Sequence, residues 1–197
     1  MGESTVAGGS LGISRESRGL AMVVLFAAYE KLVHSLAREL LETAATYRGK
    51  RKNLAPGIRL LSISGALSSV QSASKKNLWS KCGPKVSEHL ELPASTLDTA
   101  IFPDDGSFMD ESQITLFCEV FAISGWAATL GKAFFLLQEV REGRNAVAHG
   151  RMTAEEVGKS KTFGDTINKI GDWDEGWNRF LDSVEALGSA RSHFVAA

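Results

Sequence analysis

The sequence predicts an all-α fold: a helical bundle of about five helices, with a long first helix and a loop-rich middle segment. Three apolar stripes carry that prediction. Tyr29, Val33, Leu36, Leu40, Ala44 and Tyr47 recur at steps of three and four. Trp126, Leu130, Ala133, Leu137 and Val140 do the same, and Val147 follows seven residues later. Trp173, Trp177, Phe180, Val184 and Leu187 form the third stripe. Such steps put side chains on one face of an α-helix, where burial against a neighbour drives folding.

The elements follow in order. Residues 1–16 are rich in Gly, Ser and small side chains, which predicts a mobile tail; 17–197 read as a single domain. The first helix runs from about Glu16 to Tyr47 and stops at Gly49. Glu30, His34 and Arg38 share a neighbouring face at i, i+4 spacing. The segment from Arg48 to Arg59 holds Arg48, Lys50, Arg51, Lys52 and Arg59 and no acidic residue. A second helix is predicted from about Ala55 to Ser72, with Pro56 in its first turn. From Ser74 to Met109 the signals are turns, at Gly83-Pro84, Pro93, Pro103 and Asp104-Asp105-Gly106. A short helix is predicted at Lys85 to Leu90. A third helix starts near Asp110 and passes through Ile114, Phe117, Cys118 and Phe121. The fourth runs from about Trp126 to His149. Thr153 and Glu156 match a capping box, so another helix begins directly afterwards. The last runs from about Asp172 to Phe194.

A chain of 197 residues, 44% hydrophobic and 23% charged, suits one soluble domain with a sizeable core. The formal net charge is −1. The whole-protein field therefore gives no general pull on nucleic acid, and any such attraction must be local. The lysines at 75, 76, 81 and 85 add a second basic segment to the one at Arg48–Arg59. Both could guide a phosphate backbone, or be ordinary solvated surface. Cys82 and Cys118 form no close-spaced pair, which predicts reduced thiols rather than a disulfide framework or a zinc site. The N-terminus lacks the basic and apolar regions of a signal peptide. The run Gly19–Tyr29 is too short to span a bilayer. The run Val120–Leu137 is interrupted by Ser124, Gly125, Thr129, Gly131 and Lys132. The expectation is a cytoplasmic protein with no membrane partner, no metal and no cofactor.

The chemistry concentrates in Arg144-Asn145-Ala146-Val147-Ala148-His149-Gly150. Arg144 falls inside the seven-residue gap of the second stripe, on the face that should be buried. A buried cation needs a partner. Glu30 or Glu139 would be a structural partner; a phosphate would be a functional one, since a guanidinium donates two parallel hydrogen bonds to it. A His at a helix end can cap the last carbonyls, but imidazole is also the side chain suited to proton transfer near neutral pH. A fixed cation beside a titratable base is what phosphodiester cleavage needs. Asn145, one turn before His149, could fix the imidazole tautomer or contact the ribose or phosphate; an exposed helix Asn is the plain alternative. Gly150 reads as a C-cap. On an ideal helix Arg144 and His149 point about 140° apart. That favours a cleft shared by two subunits, each giving one Arg and one His.

This stretch resembles the signature of the HEPN domain family (higher eukaryotes and prokaryotes nucleotide-binding): an Arg, a polar residue, a short spacer and a His. The form Arg-Asn followed by Val-Ala-His-Gly is similar to its RiboL-PSP branch. Leu20 to Val33, LAMVVLFAAYEKLV, resembles that branch's first helix, with an aromatic–Glu step at Tyr29-Glu30. Leu97 to Gly125 is similar to its variable middle and Thr153 onward to its closing helices, so the likeness spans about Leu20 to Phe194. It implies a HEPN-type bundle that forms homodimers, and a metal-independent endoribonuclease serving as a toxin or defence effector, with an antitoxin or defence-system protein as a further partner. Under that reading Arg144, Asn145 and His149 are catalytic and Glu30 supports them. Arg151, Arg48, Lys50, Arg51 and Lys52 contact RNA. The products are a 2′,3′-cyclic phosphate and a 5′-hydroxyl. Arg151 stands where some family toxins carry a Tyr that a partner nucleotidyltransferase modifies, so that route of neutralisation is not implied here. Two other readings stay open: a non-catalytic HEPN module that binds RNA, nucleotide or a protein, and an α-helical interaction protein whose motif merely closes the bundle.

Overall fold

The computed structural model describes residues 4–102, 110–191 and 194, with side chains from residue 14 onward. The chain is all-α, with no strand among the described residues. The helices are α1 (Ser4–Ala45), α2 (Pro56–Ser62), α3 (Ser64–Gln71), α4 (Lys75–Glu91), α5 (Glu111–Val120), α6 (Trp126–Leu130), α7 (Lys132–Ala148), α8 (Ala154–Lys159) and α9 (Phe163–Ala190). Short 3-10 turns stand at Arg51–Asn53 and Ala94–Thr96. The sequence reads as one domain over 17–197; the folded chain gathers into two compact units. The first holds α1 up to Val33, the start of α5, α6 to α8, and α9 up to Asp182. The second holds the rest of α1, α2 to α4, the remainder of α5, and the end of α9.

In the first unit parts of the three predicted stripes form the core, and Met22 and Phe26 extend the first. Met22, Phe26, Tyr29 and Val33 of α1 are buried, as are Ala133, Leu137 and Val140 of α7 and Trp173, Trp177 and Phe180 of α9. Tyr29 meets Trp177 at 5.1 Å and Trp173 edge-on at 6.1 Å between ring centroids. Such offset and edge contacts suit the ring quadrupoles. The N-terminus of α1 corrects the expected tail. The helix begins at Ser4, well ahead of Glu16. Arg18 donates to Ser14 Oγ (2.9 Å) and to the Gly158 carbonyl (3.2 Å), and Arg15 pairs with Glu155 at 3.7 Å. Gly19 and Gly158 let the two backbones touch: a Cβ on Gly158 would strike the Arg15 carbonyl, and one on Gly19 the Ala154 carbonyl. This packing holds α1 from Ser14 to Gly19 against α8.

In the second unit Ala37, Leu40, Leu41, Ala44, Leu54, Ile58, Phe117 and Phe121 are buried. Arg51 is buried too. It donates to the Ser62 carbonyl, and to the Thr96 carbonyl (2.6 Å) and hydroxyl (2.8 Å), pinning its own turn to the end of α2 and to the Ala94–Thr96 turn. Burial pulls its pKa down; three neutral acceptors take the two terminal nitrogens, while Nε is buried without a hydrogen-bond partner among the described residues.

Helix ends and breaks depart from the periodic reading. α1 stops at Ala45, and Tyr47 lays its ring over Gly49 where any side chain would collide. The predicted second helix is broken at Ile63, φ −108°, into α2 and α3. α4 runs through Gly83-Pro84, where a turn was expected, after Ser74 caps it by accepting the Asn77 N–H. Pro84 leaves the Ser80 carbonyl without its helical donor, and Ser80 is exposed, where water serves instead. The apolar run Val120–Leu137 is not one helix. The chain turns at Ala122 (φ 55°) and Gly125 (φ 69°), and Gly131 (φ 53°, ψ −122°) separates α6 from α7. α9 starts at Phe163 rather than Asp172, because Thr162 and Asp165 cap each other reciprocally. The turn signals at Pro103 and Asp104-Asp105-Gly106 lie outside the described residues.

The predicted absence of a membrane span rested on the short run Gly19–Tyr29. Formed as a helix, Ser14–Ala45 is long and apolar enough to cross a bilayer by length and composition. Core helices pass the same test, and one face of this one is buried within protein, from Met22 to Ala44.

Candidate functional site

The Arg–Asn–His motif closes α7 in the first unit. Ala133, Leu137 and Val140 fix which face of α7 is buried. Gly143 continues that face, and a Cβ there would press on Met22 at 3.0 Å. One turn along α1 from Met22 is Phe26, and its ring lies under the Arg144 guanidinium, 4.7 Å from the ring centroid. A cation over an aromatic face is held electrostatically without being neutralised. Arg144 also donates to Asn145 Oδ1 at 2.9 Å. Among the described residues no carboxylate pairs with it.

Neither carboxylate that could have neutralised Arg144 forms an ion pair with it. Glu139 takes Lys161 and, at 2.6 Å, Lys169. Burial alone would raise the Glu139 pKa, but the two ammonium groups outweigh it and hold the carboxyl below its ordinary value. The trio lines a cavity of about 470 Å³ together with Asp165, Asn168 and Asp172. Glu30 is half-buried and makes no ion pair among the described residues. Arg144 is therefore a half-buried guanidinium without an ion pair among the described residues.

α7 ends in a Schellman turn. The Gly150 N–H donates to the Val147 carbonyl (3.1 Å) and the Arg151 N–H to the Ala146 carbonyl (2.9 Å). Gly150 supplies the left-handed residue this turn needs, φ 65°. His149 is the C-cap, exposed, with φ −93° and ψ 9°. Its own N–H goes to the Asn145 carbonyl at 3.1 Å, so it is carried almost as a further helical residue. The separation of Arg144 and His149 around the helix persists, and the two side chains share no hydrogen bond among the described residues. Arg151 follows, exposed. Two residues further on, Thr153 opens α8 through the predicted capping box: its side chain accepts the Glu156 N–H and Glu156 accepts the Thr153 N–H.

Arg144, Asn145, His149 and Arg151 thus share one helix end, and Asn145 fixes Arg144 directly. Of the basic residues assigned to RNA, Arg151 belongs to the first unit and Arg48, Lys50, Arg51 and Lys52 to the second. Arg48 is exposed. Lys50 and Lys52 both pair with Glu91, at 2.6 and 2.7 Å, and their ammonium groups hold that carboxyl at a pKa of about 2. Arg51 is occupied in the core by the Ser62 and Thr96 acceptors. Phe26 is the site residue that periodicity did not reveal, because an apolar residue on a buried face reads only as core. Among the described residues no group of three His, Cys, Asp or Glu is placed to hold a metal ion. Comparison of the chain with protein families, curated proteins and solved structures finds no match. The functional reading therefore stands on the residues themselves.

Proposed function

We propose that the chain is a HEPN-type, metal-independent endoribonuclease acting as a cytoplasmic toxin or defence effector. The observation that carries the reading is Arg144: a half-buried guanidinium set on Phe26 and steered by Asn145, with no carboxylate partner among the described residues, on the helix end that bears an exposed His149. Such a cation is preorganised for an anion. It needs little reorganisation when a phosphate arrives and stabilises charge that grows on the nonbridging oxygens.

In the proposed reaction an imidazole removes the ribose 2′-proton, the 2′-oxygen attacks the adjacent phosphorus, and the P–O5′ bond breaks. The imidazolium so formed gives its proton to the leaving 5′-oxygen. The products are a 2′,3′-cyclic phosphate and a 5′-hydroxyl, with no net change in protons. Because Arg144 and His149 diverge around α7, the complete site takes Arg144 from one protomer and His149 from the other. Exposed apolar pairs at i, i+4 on α1 (Leu20, Val24) and α9 (Phe163, Ile167) offer surface for such association. Arg151 would meet a flanking phosphate, and Glu30 would orient a group from α1.

RNA cleavage in EDTA tests this. The intact chain should cut, His149→Ala should lose about 10²–10⁴-fold, and Arg144→Ala about 10²–10³-fold. Both variants should stay soluble and helical by circular dichroism. Cleavage by His149→Ala at the intact rate would sink the assignment, and binding without cleavage would favour a HEPN-type binding module.

A further inference from the structure

We infer that the groove between α3 and α4 is a track for the phosphate backbone of single-stranded RNA. The starting point is charge. From Thr46 to Ser87 the sequence holds nine lysines and arginines and not one Asp or Glu. The rest of the chain is left with thirteen cations against 23 acidic residues. A nearly neutral protein thus carries one concentrated positive segment, all of it in the second unit.

The structure sorts these cations. Lys50 and Lys52 are tied to Glu91, Arg51 is buried, and Arg59 donates to the Lys52 carbonyl at 3.2 Å. The four lysines of α4 at 75, 76, 81 and 85 make no ion pair among the described residues. Most of the open charge therefore lies on α4, with exposed Arg48 left in the Arg48–Lys52 segment. Asn77, Lys81 and Lys85 follow one another at i, i+4 along the wall of a groove of about 230 Å³. Val70 and Ala73 of the facing segment and Leu78 of α4 give it apolar lining. Neighbouring lysines at this spacing stand about 6 Å apart, comparable to successive phosphates along an extended strand. A row of lysines beside apolar lining suits a polyanion whose phosphates repeat at this spacing. The polyanion character rests on this charge alone; the choice of RNA rests on the proposed ribonuclease function.

Fluorescence anisotropy with a labelled 2′-O-methyl RNA, which lacks the attacking hydroxyl, tests the inference without cleavage. Lys81→Gln with Lys85→Gln should bind about tenfold more weakly, and the slope of log K against log salt should fall by about 1.4, near 0.7 for each phosphate left without its lysine. Lys50→Gln with Lys52→Gln should weaken binding less than the Lys81/Lys85 change, since both ammonium groups are drawn to Glu91. Equal binding by the Lys81/Lys85 variant overturns the inference. So does stronger binding to polyglutamate or to phosphatidylserine vesicles than to the RNA, or no RNA binding by the intact chain. The two readings separate cleanly. Cleavage that ignores the Lys81/Lys85 change removes the groove alone, and groove-dependent binding without cleavage removes the ribonuclease alone.

Discussion

Arg144 and Glu139 lie on the same helix, and their partners decide what each can do. Glu139 is enclosed by Lys161 and Lys169 and becomes a structural tie; Arg144 rests on Phe26 without an ion pair among the described residues. The tie has a pH signature. Glu139 has a folded pKa below its ordinary value, so its contribution is fully present above the unfolded carboxylate value, about 4.3, and is lost as pH falls through the folded value. Glu139→Gln should therefore be clearly less stable than the intact chain at neutral pH, and the gap should close in acid. Urea denaturation across that range measures it, and a gap that stays constant would mean the lysines do not act through this carboxylate. At this scale the sequence exposed the residues whose chemistry is rare, such as Arg144, His149 and Gly150. It hid Phe26, and it hid the capture of Glu139 by lysines on other segments. Both depend on which helices meet, and one helix's period does not contain that.

Among the elements, periodicity located the helices well and their interruptions poorly. Burial explains the first: an apolar face at steps of three and four has one stable use in a bundle. Interruptions depend on single backbone positions. Gly131 breaks the motif helix through its φ and ψ, whereas Pro84 does not break α4. Capping boxes were readable where the pattern was Thr153-x-x-Glu156 and were passed over at Thr162-x-x-Asp165. The glycines divide into two kinds with different costs. Gly158→Ala must push α8 off the Arg15 carbonyl, an overpacking cost of about 1–3 kcal/mol. Gly150→Ala meets open space and carries only the cost of a left-handed residue, about 1 kcal/mol. Denaturation midpoints should rank them in that order. The reverse order would mean that the α1–α8 contact yields more readily than the Schellman turn.

Over the whole molecule, the all-α class with its long first helix followed from the sequence, while the division into two compact units did not. That division runs through continuous helices, at Val33–His34 in α1 and Asp182–Ser183 in α9, where no linker composition marks it. The same division puts the Arg–Asn–His motif in one unit and the acid-free segment in the other. The central proposal is that two copies complete each active site, and subunit mixing tests it most directly. Arg144→Ala and His149→Ala proteins are unfolded together, refolded at equal concentration and assayed for RNA cleavage in EDTA. Each alone should be inactive. Random pairing makes half the dimers mixed, each with one complete site of two, so about a quarter of the intact activity should return. A mixture as inactive as its components, alongside an active intact protein carried through the same refolding, would contradict a shared site and place Arg144 and His149 in separate roles.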